Sequence, residues 1–334
     1  LLFTLKYFIK PVSTALLMMA FTSHFANSAE HVEPAYPLTL AAAIDLAMRA
    51  NPSIAVAKRE LEAIEGVRTQ AAVRPNPTIS TSMQDTRSDT RQIYLQLNQE
   101  IEMGNKREAR IEAADAFYQK ALAALESRKA EVHANITNAF YEVLAAQERL
   151  KLSKSSLDIA NLALDAAAKR VKAGKSAPVE ETKSKIAEVG AKIEFNQATS
   201  QLNSARKRLS ALWGNPLPVF ESAQGNVEEI PPVATSAELS ALLENAPAIS
   251  LAKLEISTRD GMTKIERSKA TPNITLSAGV INNQELGGLN QALLGLTVPI
   301  PLFDRNQGNL QEAVSRQYKA QDELVALRAQ LEAN

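Results

Sequence analysis

The chain has no cysteine, three histidines and one tryptophan in 334 residues. Without cysteine there are no disulfides, no thiolate metal sites and no cysteine nucleophile. There is also no excess of either charge. The 37 Lys and Arg balance 37 Asp and Glu, and phosphate recognition needs a basic surplus, so a nucleic-acid partner is excluded. Aromatics make up only 5%, little for an all-β barrel or sandwich. No apolar run reaches the roughly 20 residues of a spanning helix. What is abundant is Ala, Leu, Glu, Lys, Gln and Arg, the composition of long helices and coiled coils.

The first 29 residues read as an export signal. Lys6 and Lys10 precede the short apolar run Ala15-Leu16-Leu17-Met18-Met19-Ala20-Phe21, and the small residues Ala26, Ser28 and Ala29 follow. Cleavage after Ser28 or after Ala29 fits, with a linker over 30–37 beyond it. The alternative, a short membrane anchor, would need a longer run. The chain is therefore expected to leave the cytoplasm.

The remainder holds two copies of one unit. Asn51-Pro52-Ser53-Ile54-Ala55-Val56-Ala57-Lys58 returns as Ala246-Pro247-Ala248-Ile249-Ser250-Leu251-Ala252-Lys253, 195 positions on, and Gly66 and Pro77 meet Gly261 and Pro272. Further along the spacing becomes 199. Leu95, Leu97 and Ile101 then meet Leu294, Leu296 and Ile300, and Lys120-Ala121 meets Lys319-Ala320. The first repeat is placed at 38–230 and the second at 236–334.

Each unit predicts helix, strand, strand and long helix. In the first, a helix is expected over 52–73, stopped by Pro75 and Pro77, with strands over 78–83 and 92–101. A helical stretch over 106–172 contains no Gly or Pro and at 1.5 Å per residue would span roughly 100 Å. Ala173-Gly174-Lys175-Ser176-Ala177-Pro178 breaks it, and a returning helix over 179–213 makes an antiparallel hairpin with its tip at Gly174. The second unit predicts a helix over 247–269, strands over 273–281 and 291–300, and a helix from about 306 still running at Asn334. The counterpart of Trp213 would fall well beyond Asn334, so the second repeat is read as truncated and the chain as a C-terminally incomplete fragment.

The strands alternate apolar and polar residues. Ile93, Leu95 and Leu97 interleave with Tyr94, Gln96 and Asn98, and Ile274, Leu276, Ala278 and Val280 with Thr275, Ser277 and Gly279. Such a sheet has one apolar and one polar face. A soluble hairpin packed on a helix fits the strands taken alone. Export, and helices too long for one globular core, point instead to lipid. Four strands cannot close a membrane barrel, whose smallest form has about eight, and an open edge in lipid leaves costly unpaired backbone groups. A barrel must then be shared, with eight strands from two chains or twelve from three.

At this point the residues resemble the TolC-type outer membrane factor family. The segment Tyr36-Pro37-Leu38-Thr39-Leu40-Ala41-Ala42-Ala43-Ile44, continuing through Ala50-Asn51-Pro52, is similar to that family's opening helix. Arg170-Val171-Lys172-Ala173-Gly174 resembles its hairpin tip, and Leu212-Trp213-Gly214 the end of its returning helix. Three stretches resemble the cobalt-zinc-cadmium cation-efflux branch. They are Glu100-Ile101-Glu102-Met103-Gly104-Asn105-Lys106-Arg107, Gly174-Lys175-Ser176-Ala177-Pro178-Val179-Glu180-Glu181-Thr182-Lys183, and Val298-Pro299-Ile300-Pro301-Leu302-Phe303-Asp304-Arg305-Asn306-Gln307-Gly308. The resemblance implies an α+β membrane protein. It would be a homotrimer whose four strands per chain form a shared transmembrane β-barrel in outer-membrane lipid, continued by helical hairpins through the periplasm. The implied role is the exit duct of a tripartite, proton-driven efflux pump exporting cobalt, zinc or cadmium. Its partners would be a periplasmic adaptor (membrane fusion) protein and an inner-membrane RND-type transporter. A duct for drugs or secreted protein, and a soluble periplasmic coiled-coil adaptor or scaffold, are the alternatives.

On this reading Ile93, Leu95, Leu97, Ile274, Leu276, Leu294 and Leu296 face lipid. Arg170, Gly174 and Lys175 dock the adaptor, although Gly174 also suits a plain turn and the cations a helix C-terminus. Gly104, Pro299 and Pro301 mark the junctions where strands give way to helices, since Pro cannot donate to a ladder. His31 and His133 lie far apart, and a zinc site needs three or four ligands, so no metal site is expected. No nucleophile–base pair or phosphate loop appears, so no catalytic residue, enzyme activity or cofactor is expected.

Overall fold

The computed structural model describes residues 37–226, 235 and 242–333. The expected signal at 1–29, nearly all of the linker, and the boundary near 230–236 lie outside the described residues. In chain order the elements are β1 (Leu38–Thr39), α1 (Leu40–Ala50), α2 (Pro52–Ala71), β2 (Thr78–Gln84), β3 (Gln92–Ile101), α3 (Lys106–Lys172) and α4 (Pro178–Ala211). They continue with β4 (Ala223–Gln224), α5 (Pro247–Lys269), β5 (Ile274–Asn283), a 3₁₀ turn (Gln284–Leu286), β6 (Leu289–Thr297) and α6 (Gln307–Ala333).

The four long strands form one antiparallel sheet in the order β2-β3-β5-β6. The helices repeat that order, since α2 packs on α3, α3 on α5, and α5 on α6. Among the described residues, sheet and helix row are both open at the same two ends, with β2 and α2 on one side and β6 and α6 on the other. The hairpin of α3 and α4 projects away from them.

The core sits where the long helix passes its neighbours. Leu125, Val132, Ile136, Phe140, Val143 and Leu144 of α3 form a buried stripe at helical spacing. Ala43, Leu46 and Ala47 of α1, Ala205 and Leu209 of α4, and Trp213 and Phe220 close around it. Asn51 ties this region together. Its Oδ1 accepts from the backbone N–H groups of Ser53 and Ile54 at 2.8 and 3.2 Å, capping α2. Its Nδ2 donates to the Leu212 carbonyl at 2.6 Å, at the end of α4. Beside it Leu38–Thr39 pairs in parallel with Ala223–Gln224. That bridge pins the start of the described chain to the return of the hairpin, and sequence reading did not anticipate it.

Nearer the sheet the packing is close and built from small residues. Ala109, Ala113 and Ala114 of α3 are buried, as is Gly261 of α5. A Cβ on Gly261 would fall 2.8 Å from the Ala113 Cα, so the two helices approach there as only glycine allows.

Two expectations are corrected. The last strand was expected to reach Ile300 but stops at Thr297, because Pro299 and Pro301 remove the donors that would continue the ladder. The strand correspondence also shifts. Thr81 pairs with Leu95 in the first hairpin, and its counterpart Leu276 pairs with Leu296 in the second. Leu95 therefore corresponds to Leu296 rather than Leu294. A shift of two residues keeps every side chain on its face, so the pattern alone could not detect it.

Phe140 is 1% exposed at the centre of the core. Phe140→Ala is expected to destabilise the protein by about 3–5 kcal/mol, while the exposed Leu162, further along the same helix, should tolerate alanine with little change. Denaturant unfolding of the purified proteins checks both.

Candidate functional site: a one-sided open sheet and a basic hairpin tip

The ladder assigns every strand residue to a face. One face carries Ile79, Thr81 and Met83 of β2, and Ile93, Leu95 and Leu97 of β3. It continues with Ile274, Leu276, Ala278 and Val280 of β5, and with Ala292, Leu294 and Leu296 of β6. All seven apolar residues singled out from the sequence share it. Six of them are exposed, Leu294 at 83%, whereas Ile274, beside the helices, is half-buried. Among the described residues no helix packs on this face. Ile79 and Met83 belong to it as well, but were not identified because Thr and Ser dominate β2.

The opposite face is a hydrogen-bonded polar surface. Asn98 Nδ2 donates to Ser80 Oγ at 3.0 Å, and Ser277 Oγ donates to Asn98 Oδ1 at 2.7 Å. The Tyr94 hydroxyl reaches Gln92 Oε1 at 2.8 Å. At Gly279 a Cβ would lie 2.3 Å from the Leu95 carbonyl oxygen, so glycine permits the close pairing of β3 with β5. The outer edges of β2 and β6 carry no neighbouring strand among the described residues.

The sheet is joined to the helices by left-handed backbone turns. Gly104 has φ +71 and Asn105 φ +58, immediately before α3. Asn306, before α6, has φ +61. A Cβ on Gly104 would also meet the Thr271 side chain at 2.6 Å, so both conformation and space require glycine. Pro299 and Pro301 lie in the corresponding gap of the second unit. The two asparagines were not identified from sequence; a polar residue that tolerates the left-handed region, just before an uninterrupted helical run, was the available signal.

Beside this junction lies a partly buried ion pair, Glu102 with Arg110. The Arg110 guanidinium hydrogen-bonds the Glu102 carboxylate through both terminal nitrogens. This holds the Glu102 carboxyl below its ordinary range, although burial opposes the shift. Arg107 Nε donates to the Ala72 carbonyl at 2.8 Å, tying α3 to the end of α2.

At the other end of α3 the tip is a Schellman turn. Gly174 has φ +70, its N–H donates to the Val171 carbonyl at 2.9 Å, and the Lys175 N–H donates to the Arg170 carbonyl at 2.9 Å. Arg170, Gly174 and Lys175 are all exposed. Neither cationic side chain makes an ion pair among the described residues, and Lys172 stands beside them, so the tip is a basic knob even though Lys169 is paired with Asp165. The tip and the sheet lie at opposite ends of α3, so these candidate residues form two surfaces rather than one cluster.

Among the described residues no group of three or more His, Asp or Glu could hold a metal ion, and no helix is long and apolar enough to cross a membrane. What the arrangement can do is physical. It presents an apolar sheet face outward and a polar one inward, on a unit that is open at both sides.

Together these features define one protomer of a shared barrel with a helical extension. The Outer membrane efflux protein family matches residues 43–215. The cobalt-zinc-cadmium resistance protein CzcC of Cupriavidus metallidurans is 42% identical over 302 residues, covering 90% of this chain and 72% of that protein. The nickel-cobalt-cadmium resistance protein NccC of Alcaligenes xylosoxydans xylosoxydans is 29% identical, covering 97% and 72%. The CmeC outer membrane channel of Campylobacter jejuni shares the fold at a TM-score of 0.69 and 17% identity, covering 86% of this chain and 67% of that one. This chain belongs to the outer membrane efflux protein family.

Glu102 contributes most above the ordinary carboxylate range, and its contribution fades as pH falls through its lowered folded-state value. Glu102→Gln is expected to cost about 1–2 kcal/mol at neutral pH. The difference from the unsubstituted protein should vanish in acid, as read from unfolding curves across pH.

Proposed function

We propose that this protein is the outer-membrane exit duct of a tripartite efflux pump and that its cargo is divalent metal cations such as cobalt, zinc or cadmium. The observation that carries the duct is the sheet. Its apolar face is uncovered, its other face is polar, and both edges are open. In lipid an open edge leaves unpaired backbone groups that cost several kcal/mol each, so copies of the chain must complete a barrel. Three copies give twelve strands with the polar face inside, and the helix row continues the wall into the periplasm. Members of this family are homotrimers and not enzymes. The resemblance to CzcC and NccC supports metal cations as cargo.

Ile93, Leu95, Leu97, Ile274, Leu276, Leu294 and Leu296 contact lipid in this arrangement. The basic tip at Arg170, Gly174 and Lys175 meets the periplasmic adaptor, and an inner-membrane RND-type transporter drives the flow. Gly174 keeps the turn tight while the two cations seek an acidic surface on the adaptor.

Deleting the gene is expected to raise cellular zinc, cobalt or cadmium, with complementation restoring the lower level. Unchanged metal in a strain with no second duct would contradict the cargo. Arg170→Glu with Lys175→Glu should retain outer-membrane protein at normal levels yet lower adaptor co-purification and raise cellular metal. Normal co-purification would remove the tip from the docking surface.

A further inference from the structure

The apolar face of the sheet is not apolar along its whole length. Counted away from the helices, Leu95, Val280 and Ala292 form one row across β3, β5 and β6, and Ile93, Asn282 and Asn290 form the next. The Arg91 carbonyl then accepts from the Gln284 N–H at 3.0 Å. That bond extends the ladder beyond the pairing of Gln92 with Asn283, and alternation returns Arg91 and Gln284 to the apolar face. The last two rows therefore carry amides and a guanidinium where the earlier ones carry hydrocarbon. Glu100 is the only charged residue within the four long strands, and it lies on the opposite, polar face. Arg91 is the first charge met beyond the apolar rows at the turn end.

The chain supplies this charge with no anion. Arg91 is half-buried, and its Nε is shut off from water yet has no hydrogen-bond partner. No carboxylate pairs with it among the described residues, although three stand in the adjacent turns. Asp85 is taken by Arg87, whose Nη2 donates to its Oδ2 at 2.7 Å, and by the Thr90 hydroxyl at 2.6 Å. Asp89 and Glu285 are exposed and leave Arg91 unpaired. A guanidinium stays protonated at any working pH, and buried polar groups are normally satisfied. Arg91 thus lacks an acceptor that its own chain does not provide.

The amides beside it form a directed relay. Gln284 Nε2 donates to Asn282 Oδ1 at 2.8 Å. Asn282 Nδ2 donates to the Gly288 carbonyl and to Asn290 Oδ1, both at 2.9 Å. Both Asn282 amide protons are spent, and Asn290 accepts through its oxygen. The Asn290 Nδ2 is the donor left over, and that residue is exposed. Two strand spacings separate Asn290 from Arg91, about 10 Å, a distance that an arginine side chain and one phosphate bridge.

We propose that Arg91 and the Asn290 amide hold the phosphate of a lipid in the outer leaflet of the membrane. This rests on the duct reading, in which the helices extend into the periplasm and the turns at the far end of the sheet reach that leaflet. The site adjoins rows that contact acyl chains, so one molecule lays its chains along Leu95 and Ala292 and its phosphate on Arg91. Arginine recognises phosphate through two parallel N–H···O bonds. A neighbouring copy is not the occupant, because β3 and β5 lie inside the sheet and β2 and β6 at its edges. A copy added at either edge does not reach Arg91. The contact fixes the depth at which the barrel sits.

The full-length protein, purified from outer membranes and stripped of lipid in neutral detergent, is titrated with lipid A carrying both its phosphates. The same lipid with its phosphates removed is the comparison, and native mass spectrometry counts bound lipid. Arg91→Gln is expected to need about tenfold more phosphorylated lipid A for the same occupancy. Removing the phosphates should erase that difference, and Arg91→Lys, which keeps the charge and loses the fork, should fall between. Equal occupancy of the unsubstituted protein and Arg91→Gln overturns the proposal. So does a difference that survives removal of the phosphates. If excess inorganic phosphate displaces the lipid, the site takes the free anion and the lipid assignment fails. If no lipid of either kind binds and the unsubstituted protein does not enter bilayers, the duct reading fails with it. Should Arg91→Gln not assemble, Asn290→Ala decides, since it changes only an exposed amide. It should weaken binding of phosphorylated lipid A several-fold and leave the other form unaffected, and unchanged binding overturns the site.

Discussion

A β-strand at a sheet edge carries unpaired N–H and C=O groups, and lipid offers them no partner. The rest of the structure depends on that constraint. A sheet of four strands with one uncovered apolar face can neither sit in water without exposing that face nor sit in lipid without exposing its edges. Both difficulties disappear when copies of the chain complete each other. In the proposed barrel the polar ladder of Ser80, Asn98 and Ser277 lines the interior, and Leu95, Leu294 and Leu296 meet hydrocarbon.

The helices answer the same constraint one layer down. They follow the strand order, are joined to the strands by tight left-handed turns at Gly104–Asn105 and Asn306, and are braced by Glu102 with Arg110 and by Arg107 on the Ala72 carbonyl. A duct needs this continuity, because a flexible joint between barrel and helices would let the lumen leak. Small residues at the α3–α5 contact serve the same end. Close backbones make a wall without gaps, and alanine and glycine make close backbones. The firm core around Phe140 and the Asn51 cap anchors the start of the hairpin, so the tip is carried on one continuous helix.

Much of this was legible in the chain itself. The ends of α3 were readable because no Gly or Pro interrupts 106–172 and a glycine-containing turn follows. The faces of β3 and β5 were readable from strict alternation. Less legible was whatever depended on tertiary contact. The Leu38–Thr39 bridge to Ala223–Gln224 is too short to carry a pattern. Asn51 looks like an ordinary cap until the end of α4 arrives at its amide. The two-residue shift between hairpins leaves alternation untouched, and β2 hides its apolar residues among Ser and Thr. Of the junction residues, Gly104 and the prolines announced themselves by type. Asn105 and Asn306 did so only through their backbone conformation.

The central claim is that this chain makes a conducting wall only in the company of its copies. The direct measurement is the mass and conductance of the full-length protein purified from outer membranes in mild detergent. Native mass spectrometry should give three copies, and the same preparation in a planar bilayer should pass ions through open channels. A stable monomer that leaves the bilayer silent would contradict the account.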